Sequence, residues 1–238
     1  MARGLRVTTY VVQVAMPEEA QPFLDAATEA SDPVRIGRAE HRGIVLGGRT
    51  VVLVVSGIGM VNAADAAAGS VFRYGGEGDL AIISAGTCGG LAADVEVGDV
   101  VVSADTVNVE AEATAFGYVP GQVPGMPPVF SSDDEIAGAL AAVSDAGIRV
   151  RRADMGAGDK FVTSGIALGL RETFPGLVTV DMETSAVAHT ALNHGVRFAA
   201  ARGVSDLCAP SAEQFETHVD DAAERSARVV IAALAALP

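Results

Sequence analysis

The feature that most constrains this fold is an alternation: short runs rich in Val and Ile, closed by glycine, take turns with alanine-rich stretches of helical period. A sheet covered by helices on both faces produces that pattern. The spacing predicts strands at 7–14, 50–56, 80–84, 99–103, 177–181 and 198–204, and helices at 18–29, 62–74, 133–146, 183–193 and 212–236. With 238 residues, half of them hydrophobic, the chain is expected to form one large α/β domain over 1–238. No apolar run is long enough to span a bilayer, and the first residues lead into a strand pattern without a signal-peptide cleavage site, so a cytoplasmic protein is expected. A formal charge of −14 argues against nucleic acid as partner, because phosphate binding needs clustered cations.

In such sheets ligands bind beyond the carboxyl ends of the strands, and three of the segments there hold acids. Ala15-Met16-Pro17-Glu18-Glu19 follows the first strand, Asp181-Met182-Glu183-Thr184 closes the fifth, and Val204-Ser205-Asp206 follows the last. Each acid has an ordinary explanation. Glu18 and Glu19 complement a helix dipole, Asp181 can cap a helix, and Asp206 can cap or turn the chain. Capping explains the set poorly: Glu19, Glu183 and Asp206 would converge from distant parts of the chain, with Arg202 the one nearby cation. Convergent carboxylates without a metal-binding histidine suit hydrolysis of a glycosidic bond. Its oxocarbenium-like transition state needs a proton for the leaving group, a base for water and negative surroundings.

The glycine segments Ser56-Gly57-Ile58-Gly59-Met60 and Ala85-Gly86-Thr87-Cys88-Gly89-Gly90 can admit a ligand to the backbone or serve as tight connections. Neither matches a dinucleotide fingerprint, and Gly156-Ala157-Gly158-Asp159-Lys160 lacks the spacing and hydroxyl of a P-loop, so no cofactor is expected. Cys88 and Cys208 are too few for a disulfide framework or a zinc site, and Cys88, without a histidine nearby, reads as a small space-filling residue. His41, His189, His194 and His218 fall at edges or on predicted helices, and no metal is expected. The stretch 112–128 is long and without period, a length that usually signals function or mobility.

Together, SGIGMVNAA at 56–64, SAGTCGGL at 84–91, ATAFGYVPGQVPGMP at 113–127, GDKFV at 158–162, VDMETSAVAH at 180–189 and GVSDLC at 203–208 resemble the methylthioadenosine/S-adenosylhomocysteine nucleosidases. The order and spacing hold from about residue 7 to the last helix. The resemblance implies a nucleoside phosphorylase-like fold: a single-domain three-layer sandwich with a central mixed sheet flanked by helices. It implies hydrolysis of a 5'-substituted adenosine, with Glu19 as base for water, Asp206 as proton donor to N7 of adenine, and Glu183, beside Met182, holding the ribose hydroxyls. Ser205 would orient Asp206, Phe161 would stack on the purine, and the Val162 backbone would read its edge. Thr87, Cys88 and Gly89 would line the site. The 5'-group would lie against Met16 and Ile58, and against Phe116 and Pro124 of a second subunit, which implies a homodimer.

The chain departs from that family at Pro17 and Asp181, where bacterial members often carry glutamate, and at Ala113, where the usual valine is larger and its loss leaves room for a bulkier 5'-group. Futalosine or aminofutalosine hydrolysis is therefore an alternative. A purine nucleoside phosphorylase would need arginines at an anion site, for which Arg38, Arg42 and Arg49 are the candidates, but a glutamate facing phosphate would repel it. A non-catalytic nucleoside-binding protein would be expected to lack one of the three acids.

Overall fold

The computed structural model describes residues 8–75, 79–208 and 212–238; residue 7 of the first expected strand lies outside them. The strands are β1 (Thr8–Val14), β2 (Glu29–Ala30), β3 (Val34–Ile36), β4 (Ala39–Leu46), β5 (Arg49–Val55), β6 (Asp79–Gly90), β7 (Val100–Asn108), β8 (Phe130–Ser131), β9 (Val150–Ala157), β10 (Thr179–Asp181) and β11 (Arg197–Asp206). The helices are α1 (Pro17–Ala26), α2 (Met60–Tyr74), α3 (Asp134–Ala141), α4 (Ser164–Thr173), α5 (Thr184–His194) and α6 (Glu213–Ala236).

One mixed sheet runs in the order β10-β9-β7-β11-β6-β1-β5-β4-β2. Its centre is parallel, β11-β6-β1-β5, and its margins include antiparallel pairs such as β4–β5 and β7–β11. A further antiparallel pairing of β10 with β6, through Gly89 and Gly90, closes β6, β11, β7, β9 and β10 into a ring. Successive residues of a strand point to opposite faces, and β1 shows the consequence. Tyr10, Val12 and Val14 pack with Phe23 of α1, Ile136 of α3 and Val230 of α6, whereas Val11 packs with the alanines of α2 and α5. Helices thus cover both faces, as the alternation requires.

Several expectations are corrected. The segments 85–90 and 205–206, read as post-strand loops, lie inside β6 and β11. These two strands stay paired from Arg197↔Ala81 to Val204↔Cys88 and on to Asp206↔Gly89 across a bulge, so glycines there do not end the strand. The helix expected to reach residue 29 stops at Ala26, because Glu29–Ala30 pairs with β4. That expected to reach 146 stops at Ala141, and Asp145 instead bridges Ile148. Outside the expected elements lie the strands β2, β3, β4, β8 and β9 and the helix α4. VRRADMGA carries two arginines and an aspartate in place of an apolar run, and SGIALGLRET holds two helix-weakening glycines. Among the described residues no helix is long and apolar enough to cross a membrane.

Candidate active site

The three carboxylates meet in one cavity, together with Met16, Ile58, Thr87, Cys88, Gly89, Phe161, Val162, Met182 and Ser205. Each arrives by a different local device. Glu19 sits in the first turn of α1, where its Oε2 accepts from the Ala15 and Met16 amides at 2.9 and 3.1 Å. The capping explanation is therefore correct and incomplete: Oε1 reaches across to β6 and accepts from the Thr87 amide at 2.8 Å and its hydroxyl at 2.9 Å. Four donors fix the orientation of this buried carboxylate.

Gly86 makes that approach possible. Its φ is +124°, and a Cβ there would stand 2.4, 2.5 and 2.8 Å from Oε1, Cδ and Oε2 of Glu19. This glycine admits a carboxylate of the protein itself to the backbone.

Glu183 precedes α5, with its Oε1 accepting from the Gly59 amide at 2.9 Å and its Oε2 from Arg202 Nη1 at 3.2 Å. Arg202 lies in β11 and is wholly buried. Its Nη2 donates to Ser84 Oγ at 2.8 Å and its Nη1 also to the Thr87 carbonyl at 3.2 Å, while Nε has no partner among the described residues. Burial pushes the Glu183 carboxyl up to about 7; the Arg202 guanidinium opposes the rise, and Asp181 and Glu19 add to it.

Asp206 lies at the bulge that ends β11. Its Oδ1 accepts from the Cys208 amide at 2.9 Å, and the Ser205 hydroxyl lies 3.0 Å from Oδ2. Burial raises its carboxyl above the ordinary range, against those two hydrogen bonds. A proton is thereby retained more readily, as a group that must deliver one requires. Cys88 differs. Its thiol donates to the Gly203 carbonyl, and burial pushes it well up, which disfavours the thiolate a nucleophile needs.

Sequence reasoning missed Ala15, Lys160, Val180, Asp181 and Phe215 as parts of the cavity wall. The sequence offers Asp181 as a helix cap and as a departure from the family's usual glutamate. It does accept from the Glu183 and Thr184 amides, at 2.8 and 2.7 Å, and its Oδ1 also lies 3.9 Å from Arg202 Nη2. Its spacing of two from Glu183 was the available signal. Phe215, edge-on to Phe161 at 5.7 Å, left none, because only the packing of α6 brings it there. Phe116 and Pro124 lie outside this cavity and are exposed. Arg38, Arg42 and Arg49 do not line it either, and Arg49 donates to the Leu237 and Pro238 carbonyls. Arg202 is already engaged by Glu183, and Lys160, which lines the cavity, by Glu110.

Residues 9–235 match the model of the phosphorylase superfamily. The chain is 34% identical over 226 residues to the 5'-methylthioadenosine/S-adenosylhomocysteine nucleosidase of Actinobacillus succinogenes, covering 94% of this chain and 96% of that protein. The nucleosidase of the same name from Neisseria meningitidis, solved with methylthio-immucillin-A, superposes with a TM-score of 0.91 at 34% identity, over 97% of this chain and all of that one. That of Colwellia psychrerythraea, solved with adenine, superposes with a TM-score of 0.88 at 28% identity, over 98% and 96%.

Proposed function

Because the chain belongs to the phosphorylase superfamily, among its 5'-methylthioadenosine/S-adenosylhomocysteine nucleosidases, we propose that its cavity hydrolyses the N-glycosidic bond of a 5'-substituted adenosine. Adenine and the 5'-substituted ribose leave, and water is the nucleophile. The observation that carries this reading is the convergence of Glu19, Glu183 and Asp206 on one cavity whose wall includes the exposed ring of Phe161.

The roles follow from chemistry and position. Asp206, its carboxyl raised by burial, donates to N7 as the bond to C1' stretches, which turns the purine into a neutral leaving group. Glu183, held by Arg202 and Gly59, accepts from the ribose hydroxyls. Glu19, fixed beside Thr87, takes the proton of the attacking water and lends negative potential to the oxocarbenium-like ribose. Phe161 stacks on the purine, the Val162 backbone reads its edge, and Met16 and Ile58 meet the 5'-group.

The same reading makes the enzyme a single-domain cytoplasmic homodimer in which Phe116 and Pro124 of the partner complete the 5'-pocket. Phe116 is 84% exposed, and Val61 and Phe72 on α2 and Leu192 on α5 add apolar surface of the kind an interface covers. Purified protein should release adenine from methylthioadenosine in phosphate-free buffer, and a strict phosphate requirement would overturn the hydrolase reading. Ala113 does not line the cavity, so parallel rates with S-adenosylhomocysteine, 5'-deoxyadenosine and aminofutalosine would test whether its smaller side chain widens the choice of 5'-group.

A further inference from the structure

Residues 159–162, which carry Phe161 and Val162, lie between the end of β9 at Ala157 and the start of α4 at Ser164. Gly158 before them donates its amide to the Asp181 carbonyl at 3.1 Å, and the Thr163 carbonyl after them opens α4. Side chains supply the ties between those points. Asp159 Oδ1 accepts from the Met60 amide at 2.7 Å, and the Asp159 amide donates to Glu110 Oε2 at 2.7 Å. Glu110 Oε1 pairs with Lys160 Nζ at 3.2 Å. Glu110 presses so closely on the backbone that a Cβ on Gly158 would stand 2.6 Å from its Cγ.

The far end of this strap is the amino end of α2, whose first amides are divided between two tasks. Gly59 donates to Glu183, the proposed ribose ligand, and its neighbour Met60 donates to Asp159. The purine segment and the ribose carboxylate are thus referenced to the same two residues. Asp159 and Glu110 are exposed, so neither supports the core, and Glu110 does not line the cavity.

We propose that Asp159 and Glu110 are positioning residues that hold Phe161 and the Val162 backbone against the purine. Their loss weakens purine binding and leaves the bond-breaking step, which depends on Asp206 and Glu19, close to its original rate. The inference rests on the nucleosidase reading of the cavity.

The test uses the whole enzyme. Asp159→Ala and Glu110→Ala should each raise KM for methylthioadenosine and the calorimetric Kd for adenine by about tenfold, the size of one lost charge-assisted hydrogen bond, with kcat changed less than about threefold. Asp159→Asn keeps an acceptor for the Met60 amide and should restore both constants, a rescue that general loosening of the fold would not show. Wild-type KM and adenine Kd in both alanine variants would overturn the proposal, as would an asparagine variant as impaired as the alanine one. Failure of the wild-type enzyme to release adenine would instead strike the reading beneath it.

Discussion

Gly86→Ala tests whether the close approach of Glu19 to β6 organises the site. The new methyl would fall 2.4 Å from Oε1 and 2.8 Å from Oε2, far inside contact distance, on a backbone whose φ of +124° disfavours any side chain. Backbone strain of that kind costs about 1–3 kcal/mol. Displacing the carboxylate also weakens four hydrogen bonds to a charged group, each worth ~1.5–3 kcal/mol and not additive. A total near 4 kcal/mol would lower the melting midpoint by roughly 10 °C in a chain of this size, and methylthioadenosine hydrolysis should fall with it. The decisive measurement is the cycle with Glu19→Ala, which removes the atoms the methyl would strike. In that background Gly86→Ala should cost only the backbone strain, leaving a favourable coupling of at least ~1 kcal/mol between the two positions. Calorimetric melting of the four proteins reads that coupling directly. Additivity within ~0.5 kcal/mol would refute the steric argument, as would a Gly86→Ala enzyme of undiminished activity.

Asp206→Asn should lower kcat by about 10²–10⁴-fold while adenine binding stays measurable by calorimetry; full turnover in that variant would remove Asp206 from the acid role. The Glu183 carboxyl stands at about 7 in the folded protein against 4.5 when free, so folding favours its protonated form. Its contribution to stability is complete below 4.5 and is lost as pH rises through 7. Melting midpoints measured from pH ~5 to ~8 should accordingly fall relative to those of Glu183→Gln, and a rising difference would contradict the burial argument. Arg202→Met leaves Glu183 and Asp181 without their buried cation and should destabilise by ~3–5 kcal/mol, read as a lower melting midpoint; an unchanged one would show that the two carboxylates do not need the guanidinium.

The three carboxylates of the candidate site were legible as a set, because capping accounts for each acid singly and poorly for all three at one end of a sheet. Acids after strands and glycines beside them stand out in one dimension, whereas Met16, Ile58, Phe161 and Val162 followed only from the family resemblance, and twelve of the fourteen expected site residues line the cavity. Phe116 and Pro124 were assigned to a second subunit and do not line it. The helices and the central strands were legible for a different reason, since burial on one face or two imposes a period. Illegible were β9, α4 and the reach of β6 and β11 through their glycines. Each depends on a neighbouring strand or helix for its hydrogen bonds or its burial, and local composition argues against it.

The amino-acid sequence by itself determined the alternation of strand and helix and which acids would stand at strand ends, since periodicity and side-chain chemistry are local properties. Only the tertiary structure decided that Glu19 spans from α1 to Thr87 and that Arg202 pairs with Glu183. It alone showed Gly86 making room for a side chain of the protein rather than for a ligand. Those contacts join residues far apart in the chain, where distance and burial, which no local pattern encodes, set both the clash and the charge balance.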